Sequence, residues 1–504
     1  MSLIPVRTRG ALPVLALLAF AACKSSAPAA PATDPYLYQA PPTSAPPAGL
    51  DAPTWLSHET DDLLPYWTMP VAQGTPVGNF PTNRGMDGSL QGASSRKPRM
   101  MGRQVFAYSV GFMMTGDESL LDLARAGNQW LIGHAIDTSA GGWYADLDAT
   151  GNPAGVGYKY SQDMAYDAMG PAAYFFVTAD PDAEAAVLKT RDLLFDPKTF
   201  WDTANGRIKD GMDATLSFEV NMGNPGTIDI VSELDPITAF LLLVQPVLSD
   251  GARRDQVLAD LRTLALRVHA SYWQDGIFWG NTGAIGQYGS NHTDFGHILK
   301  AYWGLLQVDK RLSDHPLSAF IAQYAPVTLR SAYDAPNGRW AKAPTSPTTV
   351  QYGSDWWAYA EADNLTATLA LHDPTWIATL GEAAAHFRGD YVDRTRPARE
   401  VVSSVSQTGG WVYNWPDTDT SKCNVWKNGF HTAEHALVLY LFSHWLAGTP
   451  APLYFAFPAA DVASRAAAAR PYTFLGDVAT VEDLGPLQND PTRHKVRVSF
   501  DKLR

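Results

Sequence analysis

The chain has 504 residues, 46% hydrophobic and 18% charged, which is enough apolar mass to bury a large core. Its net charge of −13 argues against a nucleic-acid partner, because phosphate binding needs a cationic surface. The only two cysteines, Cys23 and Cys423, exclude a disulfide framework and a cysteine-rich metal site.

At the N-terminus, Arg7 and Arg9 precede the apolar run Ala11 to Phe20, and Ala21-Ala22-Cys23 follows. A positive region, a short apolar region and a small-residue cleavage site make a signal peptide over 1–22, too short to span a bilayer. Phe20-Ala21-Ala22-Cys23 resembles a bacterial lipobox. The expectation is an exported lipoprotein, periplasm-facing or on the cell surface, whose only membrane contact is a lipid on Cys23. Residues 23–50 are rich in Ala, Pro and Ser without apolar periodicity and read as a flexible tether.

From there a punctuation recurs: Gly beside Asn, Asp or another Gly, then an aromatic or β-branched residue. Its glycines stand at 78, 142, 206, 276, 338 and 410, with gaps of 64, 64, 70, 62 and 72 residues. Asn-Gly and Gly-Gly favour tight hairpins, since both turn positions accept positive φ. Two helical stretches fill each interval. Met101, Val105, Tyr108 and Phe112 mark the first apolar face, and Gly116-Asp117 ends that helix and starts the next. Pairs follow at 160–178 with 182–195, 236–248 with 254–272, 295–308 with 317–333, and 356–372 with 375–390. One helix precedes the first hairpin (55–66) and one follows the last (430–445), making twelve. Such a unit cannot bury its own apolar face, but six closed into a ring can. The predicted class is all-α, an (α/α)6 toroid over 51–447 with hairpins at one rim. Residues 448–504 are expected to be a small appendage with strands near 453–457 and 496–500.

A toroid directs its inner helices and hairpins at one cavity, where function belongs. Five stretches put polar or aromatic groups there: Arg99 with Arg103; Lys159-Tyr160-Ser161-Gln162-Asp163; Asn291 through His297; Asp355-Trp356-Trp357 with Glu361; and Trp426-Lys427 with His431, Glu434 and His435. The 16 Trp, 21 Tyr and 20 Phe are many for a helical chain; most fill a core, but stacked aromatic faces also suit the apolar C–H faces of sugars.

In these stretches the sequence resembles the N-acylglucosamine 2-epimerase and cellobiose 2-epimerase superfamily over about 55–447. The matching motifs are Gly102-Arg103-Gln104-Val105-Phe106, Gly141-Gly142-Trp143-Tyr144 with Lys159-Tyr160, Gly296-His297 with Trp303, Trp356-Trp357-Ala358-Tyr359-Ala360-Glu361, and Trp426-Lys427-Asn428-Gly429-Phe430-His431. The resemblance implies a sugar 2-epimerase or aldose–ketose isomerase acting on a small sugar or oligosaccharide without cofactor or metal. It maps two catalytic histidines onto His297 and His431, with Arg103 near the substrate oxygens. Imidazole titrates near neutrality, so one can remove a proton while the other returns it. Tyr160, Asp235, Trp356, Trp357, Glu361 and Lys427 are the expected substrate contacts.

Three departures stand out. Asp235 occupies the place of a third family histidine, Lys300 that of a glutamate, and Glu434 that of an arginine. Lys300 and Glu434 each follow a catalytic histidine by three residues, and the expectation is an ion pair between them supporting the site. Other readings remain open. Paired carboxylates among Asp163, Asp235, Asp355 and Glu361 would suit a glycoside hydrolase. The same departures would suit an inactive glycan-binding lipoprotein. His431-Thr432-Ala433-Glu434-His435 also fits the pattern of inverted zinc peptidases, with no evident third ligand downstream.

Overall fold

The computed structural model describes residues 34–92, 95–155, 157–220, 227–412 and 421–504. The signal segment 1–22, Cys23 and Tyr413 of the last repeat therefore lie outside the described residues. The unit 36–504 contains all twelve expected helices. They are α1 (52–67, with a π-turn at His58–Leu63), α2 (Pro98–Thr115), α3 (Glu118–His134), α4 (Ser161–Thr178), α5 (Pro181–Leu194) and α6 (231–244). The second half holds α7 (Gly251–Tyr272), α8 (Phe295–Asp309), α9 (Ser318–Ala332), α10 (Trp356–Ala370), α11 (376–391) and α12 (Phe430–Leu446).

Burial sorts them into two rings. The even-numbered helices are buried almost around their circumference, while the odd-numbered ones keep a solvent face. Local chemistry fixes the boundaries. Asp117, Asp180 and Asp250 each cap an outer helix by accepting a first-turn N–H, and Gly116 ends α2 with φ +71°. The inner helices approach closely where side chains vanish: a Cβ on Gly170 of α4 would lie 2.9 Å from the Cα of Gly102 in α2. The ring closes between α12 and α2 through Phe106 on Phe430, centroids 5.0 Å apart, and through Asn428, which donates to the Met100 carbonyl. At the rim, Arg84–Gly85 pairs antiparallel with Ser421–Cys423 and joins the first repeat to the last. The (α/α)6 toroid is confirmed.

The six turns are less uniform than their spacing suggests. Trp201–Asp202 with Arg207–Ile208, Trp273–Gln274 with Ile277–Phe278, and Tyr333–Asp334 with Arg339–Trp340 form two-stranded hairpins. In the second, Asp275 and Gly276 both take positive φ, as a tight primed turn requires. The turns at 142 and 410 form single bridges, Ile136 to Trp143 and Val405 to Trp411. Gly78-Asn79-Phe80 is no strand; Asn79 instead donates to the carbonyls of Thr75 and Ala149.

One boundary expectation changes. The expected tether does not reach residue 50: Tyr36 and Leu50 are buried, the Tyr36 hydroxyl donates to Asp309 at 2.7 Å, and Trp445 donates to the Gln39 carbonyl. Apolar side chains hidden among the Ala-Pro residues dock this stretch on the ring. The C-terminal region is the expected small strand-containing appendage, with a third strand between the two expected ones. Strands β1 (Ala451–Pro458), β2 (Asp477–Pro486) and β3 (Arg493–Asp501) form one antiparallel sheet in the order β1-β3-β2. Leu453, Phe455, Val496, Val498 and Phe500 are buried, with Phe455 beside Phe176 of α4. The segment between β1 and β2 sends Tyr472, itself buried, to the Glu434 carboxylate of α12.

Candidate active site

The site is built from the N-terminal turns of the six inner helices, whose unsatisfied N–H groups give those ends positive character. At the start of α8, the Asp294 carboxylate accepts the backbone N–H of His297 at 3.0 Å and its Nδ1–H at 2.7 Å. A helix cap and a histidine anchor are thus one residue, and the ring is oriented with Nε2 left for chemistry. Burial pushes the Asp294 carboxyl up, but His297, its N–H and His292 outweigh it and hold the group below its ordinary value. A second histidine, His292, lies 4.5 Å from the His297 ring and is anchored by Asp229 at 2.5 Å.

Trp357 of α10 packs near both predicted bases, its ring 4.7 Å from that of His297 and 5.8 Å from that of His431. Gly296 makes this placement possible, because a Cβ there would lie 2.4 Å from the Trp357 ring. The Gly-His pair therefore carries a packing requirement as well as the imidazole. His431, at the start of α12, packs on Phe430 at 4.2 Å. Burial first, then the charges of Arg103, Lys300, His297 and Lys427, hold its pKa well below the ordinary histidine value, so it is neutral at pH 7.

Arg103 lies flat on the Tyr166 ring at 3.7 Å and donates to the Trp426 carbonyl, with its Nε unpartnered. Lys300 is buried. Its Nζ donates to Asp235 at 2.6 Å and to the Tyr166 hydroxyl at 3.0 Å, while Gln162 donates to the other Asp235 oxygen. Desolvation opposes the Lys300 charge, yet Asp235 prevails and raises its pKa. The expected Lys300–Glu434 pair is thus corrected: Lys300 pairs with Asp235 across from α6, and Glu434 accepts the Tyr472 hydroxyl instead. Spacing along one helix could not reveal either partner, since both come from distant segments.

The remaining expected contacts divide. Tyr160, partly exposed at the start of α4, is held at the rim by its pairing with Gly211. Trp356 is buried in the wall beneath Lys427, whose Nζ lies 5.3 Å from its ring. Lys427 is committed to Glu400 at 3.3 Å, an acid that also accepts the Trp67 indole N–H. Glu361 is buried. Its Oε1 lies 3.3 Å from Nδ1 of His431, but without hydrogen-bond alignment, so neither carboxylate oxygen nor Nδ1 has a partner.

The rival readings meet the same geometry. Asp163 pairs with Arg99, Asp235 with Lys300, and Asp355 with Lys342, so three of the four acids weighed for hydrolysis are held by cations. His435 does not join His431 and Glu434: it bonds Asp363 at 2.9 Å and packs against Trp55 and Phe387 behind the ring. The peptidase pattern is broken there. Glu361 takes its place, however, so that one ligand atom from each of Glu361, His431 and Glu434 lies within 4.8 Å of the others. No metal-ligand cluster was expected from sequence spacing; the fold assembles this one from two helices.

Comparison with known proteins agrees with this architecture. Residues 79–227 match the model of the N-acylglucosamine 2-epimerase family. A cellobiose 2-epimerase from Eubacterium cellulosolvens is 20% identical over 286 residues, covering 52% of this chain and 70% of that protein. Among solved structures, the cellobiose 2-epimerase of Spirochaeta thermophila superposes with a TM-score of 0.66 at 17% identity, covering 79% of this chain and 97% of that one. A D-mannose isomerase gives 0.63 at 17% identity, covering 78% and 99%. Fold and site together define an (α/α)6 ring with a histidine pair at the ends of its inner helices. Over residues 79–227 the chain is similar to the N-acylglucosamine 2-epimerase family, and its ring is the fold of the solved cellobiose 2-epimerase and D-mannose isomerase.

Proposed function

We propose that the protein is a carbohydrate epimerase or isomerase acting on an aldose, or on the reducing end of a small oligosaccharide, by proton transfer between His297 and His431. The observation that carries this reading is the convergence of the two imidazoles on the Trp357 ring, with His297 anchored by Asp294. In the open-chain sugar, His431 removes the C2 proton; the C2–H electrons form the C1–C2 double bond and the carbonyl oxygen becomes an enediolate oxygen. The unpartnered Nε–H of Arg103 supplies a preorganised donor to that oxygen. His297 delivers a proton to the opposite face of C2, re-forming the C1 carbonyl and giving the epimer; delivery to C1, with the O2 proton passing to O1, gives the ketose. Asp294 balances the charge of His297 while it carries the transferring proton. Tyr160 and Trp357 supply aromatic surface for the sugar, and Cys23 anchors the mature protein outside the cytoplasm.

The test is incubation with aldoses and disaccharides followed by chromatography of the products. Conserved chain length with an altered C2 or a ketose is expected. Release of a new reducing end would replace this reading with hydrolysis.

A further inference from the structure

We propose that Glu361, His431 and Glu434 form a binding site for a divalent transition-metal ion of the zinc class, and that occupancy of the site stops turnover. One oxygen of each carboxylate and one ring nitrogen lie within 4.8 Å of one another. Zinc bonds to such atoms run about 2.0–2.2 Å at near-tetrahedral angles, which puts neighbouring ligand atoms about 3.4 Å apart. Side-chain shifts of about 1 Å close the set. His431 and Glu434 lie three residues apart on one face of α12, and Glu361 faces them from α10.

The second observation is unspent binding capacity. All three residues are buried, yet both oxygens of Glu361 and Nδ1 of His431 lack any hydrogen-bond partner. Buried polar atoms are nearly always paired, so orphans converging on one point mark a place for a ligand. The nearby cation does not fill it: Lys300 donates to Asp235 and Tyr166. Tyr472, donating to Glu434, fixes that carboxylate in place. One imidazole with two carboxylates suits zinc, cobalt or manganese; calcium and magnesium take all-oxygen sets, and no thiolate is present for a softer ion. The Lys300 charge opposes a cation, so the site is a reversible one.

The consequence follows from the imidazole. A metal on Nδ1 leaves the ring proton on Nε2, and such a ring accepts no proton from C2. The ion is therefore an inhibitor, and removing it does not reduce activity. Inhibition rests on the proposed role of His431, whereas binding does not, and the experiment reads the two separately.

The full chain, cleared of metal with EDTA, is titrated with Co2+ while visible absorption is recorded, and Zn2+ is then added to displace it. One equivalent of Co2+ with a ligand-field spectrum abolished by Zn2+ is expected. Glu434→Gln and Glu361→Gln each should weaken binding at least about tenfold, with His494→Gln at a distant surface histidine as control. Thermal melting of the unsubstituted chain with and without Zn2+ adds a readout that needs no variant, because a ligand of the native state raises Tm. No saturable spectrum and no Tm shift, or binding unaffected by both glutamine variants, would overturn the proposal. Stoichiometric binding that leaves turnover unchanged would retain the site and remove His431 from the mechanism.

Discussion

Lys300 Nζ lies 2.6 Å from Asp235 Oδ1, with side-chain exposures of only 3% and 1%. Helices α6 and α8 are thereby tied by one ion pair inside the catalytic cavity. Removing one partner of a buried pair leaves an uncompensated charge and costs about 3–5 kcal/mol. Lys300→Met and Asp235→Asn are each expected to lower stability by that order, with strong coupling in a double-mutant cycle. The cycle of Lys300→Met with Glu434→Gln should show clearly weaker coupling. Asp235 is held below its ordinary pKa and Lys300 above its own, so the pair stabilises the fold from about pH 4 to about pH 10. Its contribution fades as pH falls through the Asp235 value or rises through that of Lys300. Stability measured across that window checks the sign.

Gly296→Ala places a methyl 2.4 Å from the Trp357 ring. The ring must move, and with it the surface that both histidines pack near. A misplacement of about 1 Å can cost on the order of 10²-fold in rate. Turnover is expected to fall by that order while circular dichroism stays unchanged.

Asp294→Asn keeps the size of the residue that caps α8 and orients His297 but removes its charge. The amide can still bond the ring, yet it no longer balances an imidazolium or fixes its tautomer. Loss of about 10–100-fold in kcat is expected with KM nearly unchanged. An equal loss in KM alone would give Asp294 a binding role instead.

Lys310 is a buried amine without a hydrogen-bond partner, and burial, then Arg311 and Arg504, push its pKa down to about 7. The unfolded chain binds this proton up to about pH 10.4, so between about 7 and 10.4 the unfolded state holds more protons and stability rises with pH. Lys310→Met is expected to raise stability at pH 7 by about 1–3 kcal/mol and to flatten that slope. Denaturant melts at pH 7, 8.5 and 10 measure both.

Much of the ring was legible because its signals are local. Glycine spacing, Asp caps such as Asp117 and apolar faces such as Met101 to Phe112 depend on neighbours within a few residues. The helix starts that carry His297 and His431 were legible for the same reason, whereas the roles given to the two histidines come from the family resemblance. The partners of Lys300 and Glu434 were not, because Asp235 and Tyr472 arrive from other helices or from beyond the ring. Tyr36 was hidden in a stretch whose composition imitates a linker, and Glu361 gives no sequence sign that it faces His431.

Proton movement at C2 by His297 and His431 is read without intermediary by proton NMR after incubation in D2O. The unsubstituted protein should place deuterium at C2 of a reactive aldose or disaccharide, or at C1 of the ketose product. His297→Ala and His431→Ala should each slow turnover by about 10²–10⁴-fold while remaining folded. Product formed without solvent deuterium at C1 or C2, or near-normal exchange in either variant, would rule out proton transfer by this histidine pair.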